Sequence, residues 1–127
     1  MFALLVHDHW AQLIVRGLKT WEIRGSRTGR RGRIALLLPR RHVIVGTCDL
    51  VGVEGPLSPA RLARAFARHR IPPGRLSLEI PYRQPFAWLL SGARPLAAPL
   101  AFRPPRGAVR WVRLPEPLAD ELRQGTS

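Results

Sequence analysis

The stretch GLKTWEIR, residues 17–24, changes character in its middle. Gly17 suits the left-handed exit of a preceding helix. From Thr20 onward polar and apolar residues alternate, and a period of two marks a strand. Trp21 and Ile23 then face the core, with Thr20, Glu22 and Arg24 on the other side. Lys19 stands at the turn into this strand, where a long flexible stem can reach over the edge. A lysine, a hydroxyl, a carboxylate and a guanidinium can so converge in one short segment, and such a cluster binds polar ligands.

Upstream of this segment, FALLV (2–6) has the length and apolar content of a strand. HDHWAQLIVRG follows as a helix in which Asp8 can cap the start and Trp10, Leu13 and Ile14 share a face. Downstream, GSRTGRRG is a Gly/Arg loop, and RIALLLP and VIVGTCDLVGVEG are strands joined by the basic turn Arg40-Arg41-His42. Gly46 and Gly52 inside the second strand predict bulges, the device by which a sheet bends into a barrel. LSPARLARAFARHR is the clearest helix, with Ser58 as N-cap, Pro59 at the first position, and Leu62, Phe66 and His69 on one face. PFAWLLSG reads as a buried strand, ARPLAAPLAF as an extended, proline-punctuated strand or edge, and AVRWVRLP as an alternating strand carrying Trp111. PEPLADELRQG closes the chain as a short helix, frayed from Gly125 onward. No internal repeat or linker interrupts this series. The expected architecture is α+β, a small mixed, mostly antiparallel barrel flanked by two or three helices, in one domain spanning 1–127.

The chain has 127 residues, 46% of them hydrophobic, enough for one core. No apolar run approaches the roughly 18 residues of a membrane span, and the N-terminal residues lack a secretory pattern, so the protein is expected in the cytoplasm. Cys48 is the single cysteine, which excludes an intrachain disulfide, and its place in IVGTCDL reads as a small buried hydrophobe. The net charge of +13 favours a polyanionic partner, nucleic acid above all. Of 21 basic residues only Lys19 is a lysine. GC-rich coding accounts for arginine over lysine but not for the excess over acids.

Two readings of Lys19 stand side by side. As a functional group it is a compact donor whose pKa can fall on burial, letting it act as base or nucleophile where arginine could not. As a structural group it is a surface partner of Glu22. The pattern Gly17-x-Lys19-x-x-Glu22-x-Arg24, after HWAQLIVRG and before RGRIALLLP, resembles the ASCH domain family of the PUA-like superfamily. IVGTCDLVGV is similar to the family's central strand, and PFAWLLSGARPLAAPLAF with GAVRWVRLP to its C-terminal strands, so the resemblance covers residues 9–114. It implies a small β-barrel with a cleft lined by Lys19, Glu22 and Arg24, and an association with RNA and modified nucleosides. One branch of the superfamily, amidohydrolases of acetylated cytidine, uses a related G-x-K-T stretch. Gly17, Lys19 and Thr20 match it, whereas Glu22 stands where that branch has a threonine and the helix near Arg64 and Arg68 offers no acid.

Outside the motif, the loop arginines Arg27, Arg30, Arg31 and Arg33 and the helix stripe Arg61, Arg64 and Arg68 are candidates for a nucleic-acid backbone, the alternative being solvated surface. Trp10 and Trp21 flank the motif, and each is a candidate wall for base stacking, although core packing is the simpler reading of Trp21. His7, Asp8 and His9 do not converge on a metal by spacing, no P-loop is present, and neither metal nor cofactor is expected. Two functions follow: an RNA-binding domain that recognises a nucleotide or modified base, or a small hydrolase of a modified nucleoside or of RNA, with Lys19, Glu22 and Thr20 as candidate catalytic residues.

Overall fold

The computed structural model describes residues 1–125. Strands β1 (Phe2–Leu5), β2 (Trp21–Arg24), β3 (Gly32–Leu38), β4 (Val43–Glu54), β5 (Phe86–Ala101) and β6 (Trp111–Arg113) form one six-stranded sheet in the order β2-β5-β4-β3-β1-β6. β1 and β3 run parallel and the other neighbours antiparallel. The mixed, mostly antiparallel architecture therefore matches the sequence reading. Parallel pairing requires a crossover between β1 and β3, and α1 (Asp8–Val15) together with β2 fills it.

Curvature comes from β4. Its register against β5 slips between Ile44 and Gly46, between Thr47 and Asp49 and between Leu50 and Gly52, so both glycines sit where bulges bend the strand. Gly46 also admits a close approach: a Cβ there would lie 2.5 Å from the Arg94 carbonyl oxygen and 2.6 Å from Val15 Cγ1 of α1. The curled sheet brings its margins together, and side chains bridge them. Arg24 Nη2 of β2 donates to the Leu5 carbonyl of β1 at 2.9 Å, and Arg110 Nη1, just before β6, donates to Ser26 Oγ at 3.0 Å. Trp88 and Trp111 stack inside the curl with ring centroids 5.8 Å apart.

Strand alternation divides the core. Leu4, Ile34, Leu36, Leu50 and Trp88 pack with Ile14 and Val15 of α1 on one face. Leu5, Leu37, Ile44 and Val112 pack on the other with Leu122 of α5 (Glu116–Gly125). Each fully buried leucine contributes about 1.5–3 kcal/mol, which makes these two layers the main support of the sheet. The fraying expected from Gly125 onward does not reach Gly125, which still belongs to α5; Thr126 and Ser127 lie outside the described residues.

Helices differ most from the sequence reading. Five are present among the described residues, not two or three. The long helix breaks into α2 (Pro59–Ala63) and α3 (Phe66–His69), because Ala65 leaves helical geometry at φ −107° and ψ 22°. The break seats Ala65 in a third cluster with Trp21, Ile23, Leu57, Leu62 and Ile71, while Phe66, expected inward, is exposed. A 3-10 turn (Pro73–Arg75) and α4 (Leu76–Glu79) follow, in a segment whose sequence carries no cap or period. Asp8 begins α1 with His7 at the N-cap position, and its carboxylate accepts from Gln12 Nε2 at 3.2 Å. The ARPLAAPLAF stretch continues β5 beyond the end of β2, so Pro95 and Pro99 fall where only β4 lies alongside it.

Candidate functional site

Backbone bonds fix the motif before any side chain is considered. Gly17 turns out of α1 at φ +76°. Lys19 N–H donates to Leu13 O at 3.1 Å and Thr20 N–H to Arg68 O at 2.9 Å, while Thr20 O accepts from Leu90 N–H at 2.8 Å. Lys19 is thereby held between α1 and α3, and its side chain is buried. The ammonium donates to the His69 carbonyl at 2.7 Å, lies 3.7 Å from Glu22 Oε1, and sits 4.9 Å from the Trp10 ring centroid. Burial holds its pKa below the ordinary lysine value, and the Glu22 carboxylate partly offsets that fall.

Glu22 joins both cations. Its Oε2 accepts from Arg24 Nε at 3.1 Å and Nη2 at 2.8 Å, a charge-assisted pair of bonds, while Oε1 faces the lysine. The His69 carbonyl is positioned by its own ring: Nδ1 accepts from Ile71 N–H at 2.9 Å and Nε2 donates to Leu62 O at 2.7 Å, which fixes the neutral tautomer. Burial lowers the His69 pKa, with a smaller contribution from the Lys19 charge, in keeping with that neutral form.

Lys19, Glu22 and Arg24 line one cleft of about 540 Å³, within the 300–1,000 Å³ range of ligand sites. Trp10, His7, Leu78, Glu79, Tyr82 and Val109 complete its walls. Thr20 does not line it. Trp21, a candidate wall in the sequence, is 3% exposed and packs in the third core cluster under Arg61 and Arg68, at 5.0 and 5.7 Å. It is a core residue, because strand parity turns it away from Glu22.

None of the candidate backbone arginines lines the cleft. Arg27 donates to Gly55 O at 2.8 Å and Arg30 lies 3.5 Å over the Phe2 ring. Arg31 donates to Thr28 O and Arg30 O, and Arg33 donates to Gly92 O while standing 3.5 Å from Asp49. Arg61 pairs with Glu54 at 3.2 Å, whereas Arg64 is exposed. Tyr82, Leu78 and Glu79 enter the site from a segment without a sequence pattern, and Val109 from the stretch AVRWVRLP, of which only Trp111–Arg113 forms β6. That Tyr82 is the chain's single tyrosine is the one available signal.

A curled six-stranded sheet with a polar cleft on its marginal strand places the protein in the PUA-like class. Within that class the chain belongs to the ASCH domain family, whose model matches residues 4–105. The fold is similar to the crystal structure of ASCH from Zymomonas mobilis, with a TM-score of 0.77, 18% identity, and coverage of 99% of this chain and 95% of that one. A tyrosine-to-phenylalanine variant of the Zymomonas mobilis protein also gives a TM-score of 0.77 at 18% identity, covering 99% of this chain and 98% of its own. No curated protein matches the chain.

Proposed function

We propose that this ASCH protein is an RNA-binding domain of the cytoplasm, acting as one domain over residues 1–127, whose cleft takes a nucleotide or modified base. The carrying observation is the contrast between floor and lips. The floor sets one carboxylate between two cations, and the lips carry Leu78, Tyr82 and Val109, exposed by 71%, 37% and 85%. Apolar lips clamp the faces of a planar heterocycle while a polar floor reads its edge. Glu22 Oε1, not used by Arg24, accepts from a base N–H, and Lys19 donates to a base oxygen. The excess positive charge draws the polyanion to the surface.

Fluorescence anisotropy with labelled single-stranded RNA over a salt series tests this. Log affinity is expected to fall linearly with log salt, with a slope of about −0.7 per neutralised phosphate. Lys19→Met should weaken binding at least about tenfold and Arg31→Ala only about twofold. Absent or salt-insensitive binding overturns the reading. A second reading, a hydrolase of a modified nucleoside or RNA, is favoured by one observation: burial makes the Lys19 amine easier to deprotonate beside Glu22. It requires product by mass spectrometry from acetylated cytidine or RNA, lost in Lys19→Met; no turnover removes it.

A further inference from the structure

The cleft is not isolated. A hollow of about 440 Å³ lined by His9, Pro72 and Arg75 shares His7, Trp10 and Glu79 with it. A third, of about 380 Å³ and lined by Gly25, Arg83 and Gln84, shares Tyr82. The two outer hollows have no lining residue in common. The segment from Lys19 to Gly25 gives their order: Lys19 is at the Trp10 side, Gly25 lines the hollow beyond Tyr82, and the floor residues Glu22 and Arg24 lie between. Three concave spaces thus adjoin in a row, one boundary formed by His7, Trp10 and Glu79 and the other by Tyr82. Each outer space has an arginine at its wall. Arg75 pairs with Glu79 at 2.8 Å, and Arg83 is exposed with no ion-pair partner among the described residues.

We infer that these hollows form one groove for three consecutive nucleotides of single-stranded RNA, the central base in the Lys19 cleft and its neighbours beyond Trp10 and Tyr82. This rests on the nucleotide-binding reading above and adds the length and strandedness of the ligand to it. Aromatic partitions suit unpaired bases, whose faces are free, and exclude a duplex, whose bases are already stacked on one another. Arg83 at one end, the Arg75–Glu79 pair at the other and a neutralised carboxylate in the middle suit a ligand whose phosphates run outside and whose base edge points in.

Calorimetric titration with uridine and adenosine 5′-monophosphates, then the matching di-, tri- and tetranucleotides, decides it. Affinity is expected to climb at least about tenfold from mono- to trinucleotide and then level off, with a matching RNA duplex at least about tenfold weaker than the single strand. The tri-to-mono affinity ratio is expected to fall at least about threefold in Arg83→Ala and in Tyr82→Phe/Arg83→Ala. Circular dichroism confirms that both variants keep the fold. A mononucleotide bound as tightly as the trinucleotide, or a duplex bound as tightly as the single strand, overturns the groove and leaves the single-base cleft standing. If neither mono- nor trinucleotide binds, the cleft reading itself fails and the groove falls with it.

Discussion

Glu22→Gln removes one negative charge from the site and almost nothing else, since the amide keeps the shape of the carboxylate. In the native protein that charge faces Lys19 Nζ at 3.7 Å and Arg24 Nη2 at 2.8 Å. The side chains are 9% exposed for Glu22, 1% for Lys19 and 13% for Arg24. Breaking a buried ion pair from one side costs about 3–5 kcal/mol, because the surviving charge stays desolvated. Arg24 retains the Leu5 carbonyl and some water, so the penalty falls mainly on Lys19, and about 3 kcal/mol is the expected loss. For a chain of this length that is a midpoint lower by about 10 °C. The pH dependence carries a definite sign. Burial depresses the Lys19 pKa below 10.5, and the Glu22 charge is the largest influence opposing it. A base with a depressed folded pKa binds fewer protons folded than unfolded, so its cost is full below the folded pKa and relieved as pH rises toward the unfolded value. Without Glu22 the folded pKa falls further, and the variant regains stability over a wider window than the parent. Urea denaturation followed by tryptophan fluorescence between about pH 6 and about pH 10 reads both effects. The double variant Lys19→Met/Glu22→Gln deletes the stranded ammonium and should recover about 1–2 kcal/mol over the single variant. A double variant no more stable than Glu22→Gln, or a single variant within about 0.5 kcal/mol of the parent, refutes the picture of a buried cation held by this carboxylate.

Gly46→Ala places a methyl 2.5 Å from the Arg94 carbonyl oxygen and 2.6 Å from Val15 Cγ1; backbone cannot yield cheaply, and the urea midpoint should report a loss of about 2–3 kcal/mol. Thr47 is fully buried and its Oγ1 has no partner among the described residues, so Thr47→Val is expected to raise stability by about 1 kcal/mol in the same assay; a loss of stability would mean the hydroxyl is satisfied. Burial pushes the Cys48 thiol up to about 12, so a colorimetric disulfide reagent near neutral pH should leave it unmodified until urea unfolds the protein, and stoichiometric labelling of the native chain would contradict its placement.

What the sequence made legible was local. The period of two in TWEIR assigns Trp21 and Ile23 to one face and Glu22 and Arg24 to the other, and the structure keeps that parity because neighbouring residues alone set it. Gly46 and Gly52 mark bends in β4 for the same reason. Charge counting was a poorer guide to position. Arg27, Arg30 and Arg33 look like free cations in a Gly/Arg loop, yet each finds a carbonyl or an aromatic ring elsewhere in the fold. The walls of the cleft were the least legible part. Tyr82 and Val109 arrive from segments far apart in sequence, joined only when the sheet curls. The nearest partner of Lys19 is the backbone oxygen of His69, a group every residue possesses and no sequence pattern announces.

The lone lysine has a physical reason in this geometry. Arginines here sit over rings, Arg30 on Phe2 at 3.5 Å and Arg61 on Trp21 at 5.0 Å, where a planar delocalised cation can gain contact across its face. Position 19 offers the opposite environment: a buried, end-on space bounded by one carbonyl oxygen at 2.7 Å, one carboxylate oxygen at 3.7 Å and the Trp10 ring. A guanidinium would bring its five N–H groups in a wide fork into that space and could not release its proton there. Lysine meets both conditions, and in the proposed role it makes the charge of the floor responsive to a guest. An acceptor set against the ammonium favours the protonated form, whereas an apolar guest that only adds desolvation favours the neutral amine. Under the proposed binding role, the guest therefore sets the charge of the floor through Lys19.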